Sequence, residues 1–405
     1  MPLRKFSRAI GGLGCVATAV GALILGSAGL GHAQVPPFPK SPQTINVIDV
    51  GGVLALTQDA LEKYRAAHPE RVARFTYSKG PSPTLAGKIK AQQAGGRVDI
   101  DLVLSGINGI SDGIVQGLWV KVLPEYESKF GGKVDDMLLP GALKTHRDAQ
   151  GYAVAVVFTP AGPLLEYNPD KVKNPPKTTD ELMAWCKANP DRLFYGRPAQ
   201  SGPARAFLLG LPYMLGDSNP RDPVKGWDKT WAYLKELNTC IDYYPPLTST
   251  TMKELGDGSK DMILTTMGWD INPRVLGVAP KSAKVQLITG PNGFTFVTDA
   301  QFMAIPKGIS QDKLAVVLDI MAYLMKPEQQ AMTYDQGYFY PGPSVKNVPL
   351  SQAPRESQDA IKEYGRPEYD KWINEYPMEP PIFAETLGIA HRMWDELIGA
   401  AAKRK

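Results

Sequence analysis

Apolar and polar residues along this chain recur at two periods, and the two take turns. Residues 45–50 alternate apolar and polar positions as a strand does, and Gly51-Gly52 breaks the run. From Leu54 to Ala67 the apolar positions take helical spacing, stopping at His68-Pro69. Residues 75–77 predict a second strand and residues 83–94 a helix, ended by Gly95-Gly96. Residues 100–104 form an apolar run suited to a strand buried on both faces. Ser105-Gly106 then opens a helix that runs through Gln116 and closes at Gly117. Strands alternating with helices imply βαβ crossovers and a mainly parallel sheet.

The alternation continues into a second unit. Residues 152–158 predict a strand, residues 159–163 interrupt it with Pro and Gly, and residues 164–168 predict another short strand. Such a pair would carry the chain from one lobe to the next. A helix starts at Thr179-Asp180-Glu181 and runs to Lys187, residues 193–195 form a strand, and Gly202-Pro203 introduces a helix to Leu215. Residues 227–237 are helical, 262–267 and 285–288 are strands, and 294–305 return the chain to the first unit. Residues 314–325 and 327–334 follow as helices; the tail 358–397 is helical with Pro breaks, and Lys403-Arg404-Lys405 should fray.

The first residues read as a targeting segment. Arg4, Lys5 and Arg8 precede a Gly-rich apolar run from Ile10 to Leu30, and Gly31-His32-Ala33 offers small residues for cleavage after Ala33. An uncleaved anchor is the competing reading, since the run approaches the ~20 residues a spanning helix needs. Cys15 lies mid-run, where a lipoprotein signal would not place it. Losing three bases and no acid lowers the formal charge from +4 to +1. A near-neutral chain without basic stripes carries no electrostatic footprint for nucleic acid. The remaining length exceeds what one core usually supports. The expected architecture is therefore a signal peptide (1–33), a Pro-rich leader (34–43), a first lobe (44–158 plus 296–405) and a second lobe (159–295), the C-terminal helices bracing either lobe. Cys186 and Cys240 fall in the second lobe, and an oxidising compartment leaves both a bridge and two separate thiols open.

Three blocks carry a resemblance. Residues 96–106 followed by a helix ending Gln116-Gly117-Leu118, then Glu166-Tyr167-Asn168-Pro169-Asp170-Lys171-Val172 with Pro175-Pro176-Lys177-Thr178-Thr179-Asp180-Glu181-Leu182, then Ala304-Ile305-Pro306-Lys307-Gly308 and Lys326-Pro327-Glu328-Gln329-Gln330, resemble family 1 extracellular solute-binding proteins of bacterial ABC importers. The resemblance covers most of the chain after the leader. It implies a two-lobed α/β fold of the type II periplasmic-binding-protein kind, with a mixed, mainly parallel sheet in each lobe. It further implies a monomer in the periplasm that captures a small polar solute by hinge closure and delivers it to membrane permease and ATPase subunits, with no cofactor. Each block has a local reason as well: Thr178 or Thr179 can cap a helix whose first turn holds two acids, and Pro327 fits a first helical position.

Ligands of such sheets bind beyond the carboxyl ends of strands, where loops and helix N-termini meet. That rule selects Gly51, Gly52, Tyr77, Ser78, Ser105, Gly106, Asn108, Gln200, Ser201, Trp269, Asp270, Asp299 and Gln301 as ligand-binding candidates. Each glycine can equally end a strand, each serine cap a helix, and Asp270 cap the helix after it. Arg205, one turn into its helix, reads as solvated. Trp269, Asp270 and Asp299 suit a cationic amine such as a polyamine through stacking and charge pairing; Ser105, Ser201 and two helix N-termini suit an anion. The balance leans to the amine. No His-Glu-x-x-His, Cys-x-x-Cys, Gly-x-Ser-x-Gly or phosphate-loop motif is present, so no catalytic or metal residues are assigned. A carbohydrate-active enzyme built on distant carboxylates, or a sensor presenting its ligand to a receptor, are the competing functions.

Overall fold

A computed structural model describes residues 34–80 and 82–400. The expected signal peptide, Cys15, the expected cleavage after Ala33 and the basic tail 403–405 lie outside the described residues.

Two sheets, each with its own core, organise the chain. The first contains β1 (Gln43–Asp49), β2 (Val72–Lys79), β3 (Leu102–Gly106) and β4 (Ala153–Gly162). The second contains β5 (Leu164–Tyr167), β6 (Leu193–Phe194), β7 (Met262–Thr265) and β8 (Lys284–Gln286). The chain then returns to the first sheet through β9 (Phe296–Ala304), β10 (Gly342–Pro343) and β11 (Met378–Glu379). The first sheet runs β10-β4-β9-β3-β1-β2, with β11 beside β9; the second runs β6-β7-β5-β8.

Both sheets are mixed rather than mainly parallel. The strands of the opening βαβ units pair in parallel, but β9 lies antiparallel between β3 and β4, and β5 lies antiparallel to both β7 and β8. The cause is connectivity. β9 is the returning strand, and a return between two strands that leave the sheet runs against them. β4 is buried along its whole length and continues through residues 159–162, so the passage to the second sheet falls at Gly162–Leu164 and not after Phe158. Its last turn is irregular: Ala161 takes a positive φ of 60°, which L-residues rarely adopt, and the register against β9 shifts between Thr159 and Gly162.

Local sequence explains the flanking helices. In Leu54–Ala67, Leu54, Thr57, Leu61 and Tyr64 recur at helical spacing and are buried. The Tyr64 hydroxyl donates to Asp319 at 2.7 Å, tying this helix to Gln311–Leu324. Thr178 rather than Thr179 caps Thr179–Ala188: its hydroxyl accepts from Glu181 N, while Glu181 reaches back to Lys177 N. Cys186 on this helix is bridged to Cys240. The bridge closes a loop of 54 residues in the second core, a constraint on the unfolded chain of about 4 kcal/mol.

The C-terminal helices belong with the second core. Tyr364, Tyr369, Leu387 and Trp394 pack among its residues, although β11, between these helices, pairs with β9 of the first sheet. A buried ion cluster fastens them: Asp270 accepts from Arg274 at 3.1 Å, from Arg366 at 2.7 Å and from the Tyr369 hydroxyl.

Candidate functional site

The two cores face each other across a cavity of about 360 Å³, lined from both sides. The antiparallel register of β3 and β4 on β9 places Gly106 opposite Gln301 and Thr159 opposite Asp299. Residues two apart on a strand share a face, so Asp299 and Gln301 both reach this cavity. From the first core, Gly51 follows β1, and Ser105, Gly106 and Asn108 lie where β3 passes into the helix Ile107–Val115. From the second, Gln200 and the start of the helix Gly202–Leu215 close the opposite wall, with Trp269 beyond β7. Both helices direct N-terminal ends toward the cavity; that of Ile107–Val115 carries no side-chain cap, whereas in Gly202–Leu215 Pro203 has no N–H and Ser201 caps Ala204 N.

Close backbone approach fixes several of these positions. A Cβ on Gly51 would stand 2.7 Å from Gln301 Oε1, so this turn passes close over the glutamine amide, which would have to shift for a larger residue. The Asp49 carboxylate holds the same turn by accepting from Gly51 N at 3.2 Å and Val53 N at 3.0 Å. At Gly268, φ is +87° and a Cβ would meet the backbone of residues 337–340 at 2.4 Å. That contact brings the Trp269 ring against Tyr338, edge-on at 5.9 Å, with Phe339 5.1 Å further on. The three aromatic rings form one wall.

Eight of the thirteen candidates line the cavity: Gly51, Ser105, Gly106, Asn108, Gln200, Trp269, Asp299 and Gln301. Five do not. Gly52, at a φ of +79°, does not line the cavity; a Cβ there would stand 3.2 Å from the Tyr338 hydroxyl. Tyr77 and Ser78 lie on β2, the edge strand, with β1 between it and β3; they bond to Glu62 at 2.8 Å and to Val47 O at 3.4 Å. Ser201 is buried and accepts from Ala204 N at the end of its own helix, which is the capping alternative. Asp270 is fully buried behind Trp269, held by Arg274 and Arg366 of the ion cluster. It does not line the cavity, and the helix after it is capped by Ile271 with no side-chain bond.

Arg205 is a correction of the opposite kind. It lines the cavity, and its guanidinium meets Asp299 at 3.0 Å across the two cores. The signal was in the helical period, because Gly202, Arg205 and Leu209 share the face that lines the cavity. Tyr338 and Phe339 were missed for a different reason: they sit in a turn between short elements, where no period exists to read. Burial raises the Asp299 carboxyl above its usual range, against the pull of Arg205. Behind Arg205, His391 on the helix Ala384–Trp394 is lowered to about 4, first by burial and then by the nearby guanidinium.

Among the described residues lining the cavity, Arg205 and Asp299 are the charged ones, and they are paired to each other. A single carboxylate so engaged does not make the acid/base pair that hydrolysis of a glycosidic bond uses. What the geometry does offer is recognition: neutral hydrogen-bonding groups, a cluster of aromatic side chains and contact with both cores at once.

The profile of a family described as bacterial extracellular solute-binding protein matches residues 59–362. No curated protein sequence matches the chain. Among solved structures, the spermidine/putrescine ABC transporter substrate-binding protein of Streptococcus pneumoniae aligns over 88% of this chain and 98% of its own, with a TM-score of 0.61 at 15% identity. A ferric binding protein from Campylobacter jejuni aligns over 87% and 99%, with a TM-score of 0.61 at 13% identity. The periplasmic binding protein AfuA of Actinobacillus pleuropneumoniae, solved with exogenous fructose-6-phosphate bound, aligns over 89% and 100%, with a TM-score of 0.59 at 14% identity. At these identities the likeness is one of fold.

Proposed function

The chain belongs to the bacterial extracellular solute-binding protein family, and from that premise we propose that it is the capture component of an ABC importer, exported to the periplasm by cleavage near Ala33. The observation that carries this reading is the cavity between the two cores, to which each core contributes hydrogen-bonding side chains. A solute lodged there touches Ser105, Asn108 and Gln301 on one side and Gln200, Arg205 and Trp269 on the other. Contacts made only when both sides meet the solute favour the closed form.

The passages between the sheets, at Gly162–Leu164 and just before β9, are the hinges about which the cores rotate. The irregular end of β4 suits such a role, and Ala161 O accepts from Met267 N at 2.9 Å, coupling the passage to the loop that carries Trp269. The closed monomer then docks on permease and ATPase subunits. Micromolar capture corresponds to about −8 kcal/mol, which several hydrogen bonds and a stacked ring supply after ordering costs.

The experiment is to isolate the protein under native conditions from cells that make it, release whatever it holds with guanidinium, and identify small molecules by mass spectrometry. One small molecule recovered in stoichiometric amount supports capture. Chemical turnover of that molecule by the refolded protein would replace capture with catalysis.

A further inference from the structure

The walls of the cavity carry a statement about the chemistry of the solute. Three residues that line it hold a buried polar atom for which no partner exists among the described residues: Asn108 Oδ1, Gln301 Oε1 and Trp269 Nε1. A buried polar atom left without a partner costs about 1–3 kcal/mol, so the three at this cavity leave hydrogen-bonding capacity there for a solute to meet. Gln301 is only 4% exposed, with its amide lying over Gly51 and Gly106 at the cavity wall.

The three atoms do not ask for the same thing. Indole Nε1 only donates. A primary amide carries both an acceptor and donors whichever way it is turned, so Asn108 and Gln301 each present both functions. A solute that satisfies all three must therefore accept and donate at closely spaced positions. An ammonium group donates only, so it cannot answer the indole or the helix N–H groups. A carboxylate or fully ionised phosphate accepts only, so it leaves an amide oxygen unmet. Hydroxyl groups do both.

Charge points the same way. A polyamine needs carboxylates free to pair with it, but Asp299 is held by Arg205 at 3.0 Å and Asp270 is committed to the ion cluster behind Trp269. The lining has no formal charge to balance. Beside the two amides stand the aromatic side chains of Trp269, Tyr338 and Phe339, edge-on to one another, which offer apolar surface for the body of a compact ring rather than charge for a polyamine.

We infer that the solute is a neutral, polyhydroxylated ring compound, a sugar or cyclitol, whose apolar surface packs against the aromatic side chains and whose hydroxyls meet Asn108, Gln301 and, at the indole edge, Trp269 Nε1. The inference rests on the reading of this cavity as the capture site. It replaces the amine to which the sequence leaned, because that preference depended on Asp270.

The test is a thermal-shift and titration-calorimetry panel on the protein after guanidinium stripping and refolding, with glucose, galactose, maltose and myo-inositol as neutral ring probes. Spermidine, putrescine, inorganic phosphate and glucose-6-phosphate form the charged arms. Saturable binding of a neutral ring probe is expected. Asn108→Ala and Trp269→Ala should each weaken it at least tenfold. Trp269→Phe keeps a ring but loses the N–H, and should weaken binding several-fold while unfolding at the wild-type temperature. That intermediate effect separates recognition by the indole from a mere loss of packing. Saturable binding confined to a charged probe overturns the assignment of a neutral ring and leaves solute capture standing. Equal affinity in wild type and both Trp269 variants overturns the placement on the aromatic wall, and silence across the whole panel overturns both the ring assignment and the capture reading.

Discussion

Replacing Asp270 with asparagine should unfold the protein more easily without altering what it binds. The side chain is fully buried and accepts from Arg274, Arg366 and Tyr369, which together tie the loop after Trp269 to the C-terminal helices. Asp270→Asn keeps the shape and removes the charge, leaving two guanidinium groups in the interior. Breaking a buried pair by removing one partner costs about 3–5 kcal/mol. The nearby Glu166 moderates the loss. It too is fully buried, and burial first, with the neighbouring Asp270 charge second, raises its carboxyl well above the usual range. Without Asp270, Glu166 ionises more readily and takes over part of the balance. The expected cost is therefore near the lower end, about 3 kcal/mol, or about 4 °C in thermal midpoint for a protein of this size. Glu166→Gln alone should raise the midpoint at neutral pH, where a carboxyl held protonated in the fold costs stability, and Asp270→Asn should cost more in that background than it does alone. Differential scanning calorimetry on the four proteins reads the cycle, and titration of the bound solute reads affinity. An Asp270→Asn variant that melts with wild type yet binds tenfold more weakly would refute the reasoning and return Asp270 to the ligand.

Other outcomes follow from the same geometry. Reducing the Cys186–Cys240 bridge, or replacing both cysteines with serine, should cost about 4 kcal/mol in chemical denaturation and leave affinity intact, since the bridge lies within the second core. Arg205→Ala leaves the Asp299 carboxyl without its partner and should weaken solute binding more at neutral than at acidic pH, where the carboxyl is protonated; calorimetry at two pH values reads the difference. Burial lowers His146 and His391 from 6.5 to about 4, so both stay neutral in the fold. Depressed folded values contribute stability that is fully present above pH 6.5 and lost as the pH falls toward 4, so denaturant midpoints should drop across that window, and less steeply in His391→Gln. Glu166 acts in the reverse sense: its raised value gives stability present below pH 4.5 and lost as pH rises, so Glu166→Gln should flatten the decline on the alkaline side.

How far the sequence revealed this arrangement depended on whether a residue's role was written locally. Helices were legible because their period and caps lie within a dozen residues; Leu54–Ala67 and Gly202–Leu215 fall where spacing placed them. Loops after β1, β3 and β7 were legible as cavity walls because strand ends point that way in any sheet of this kind. Asp270 was misplaced because its partners are 96 and 99 residues away, at Arg366 and Tyr369, and its loop looks the same from sequence whether it faces a solute or a buried guanidinium. Gly342–Pro343 and Met378–Glu379 were missed as strands for a related reason. Two residues carry no period, and only pairing with β4 and β9 makes them strands.

Closure about the passages between the two sheets is the central claim, and small-angle X-ray scattering of the stripped protein with and without its saturating solute tests it most directly. The account predicts that the radius of gyration falls as the cores rotate onto the solute, and that the change tracks occupancy through the titration. Identical scattering profiles at zero and full occupancy, with binding verified by calorimetry in the same buffer, would contradict it.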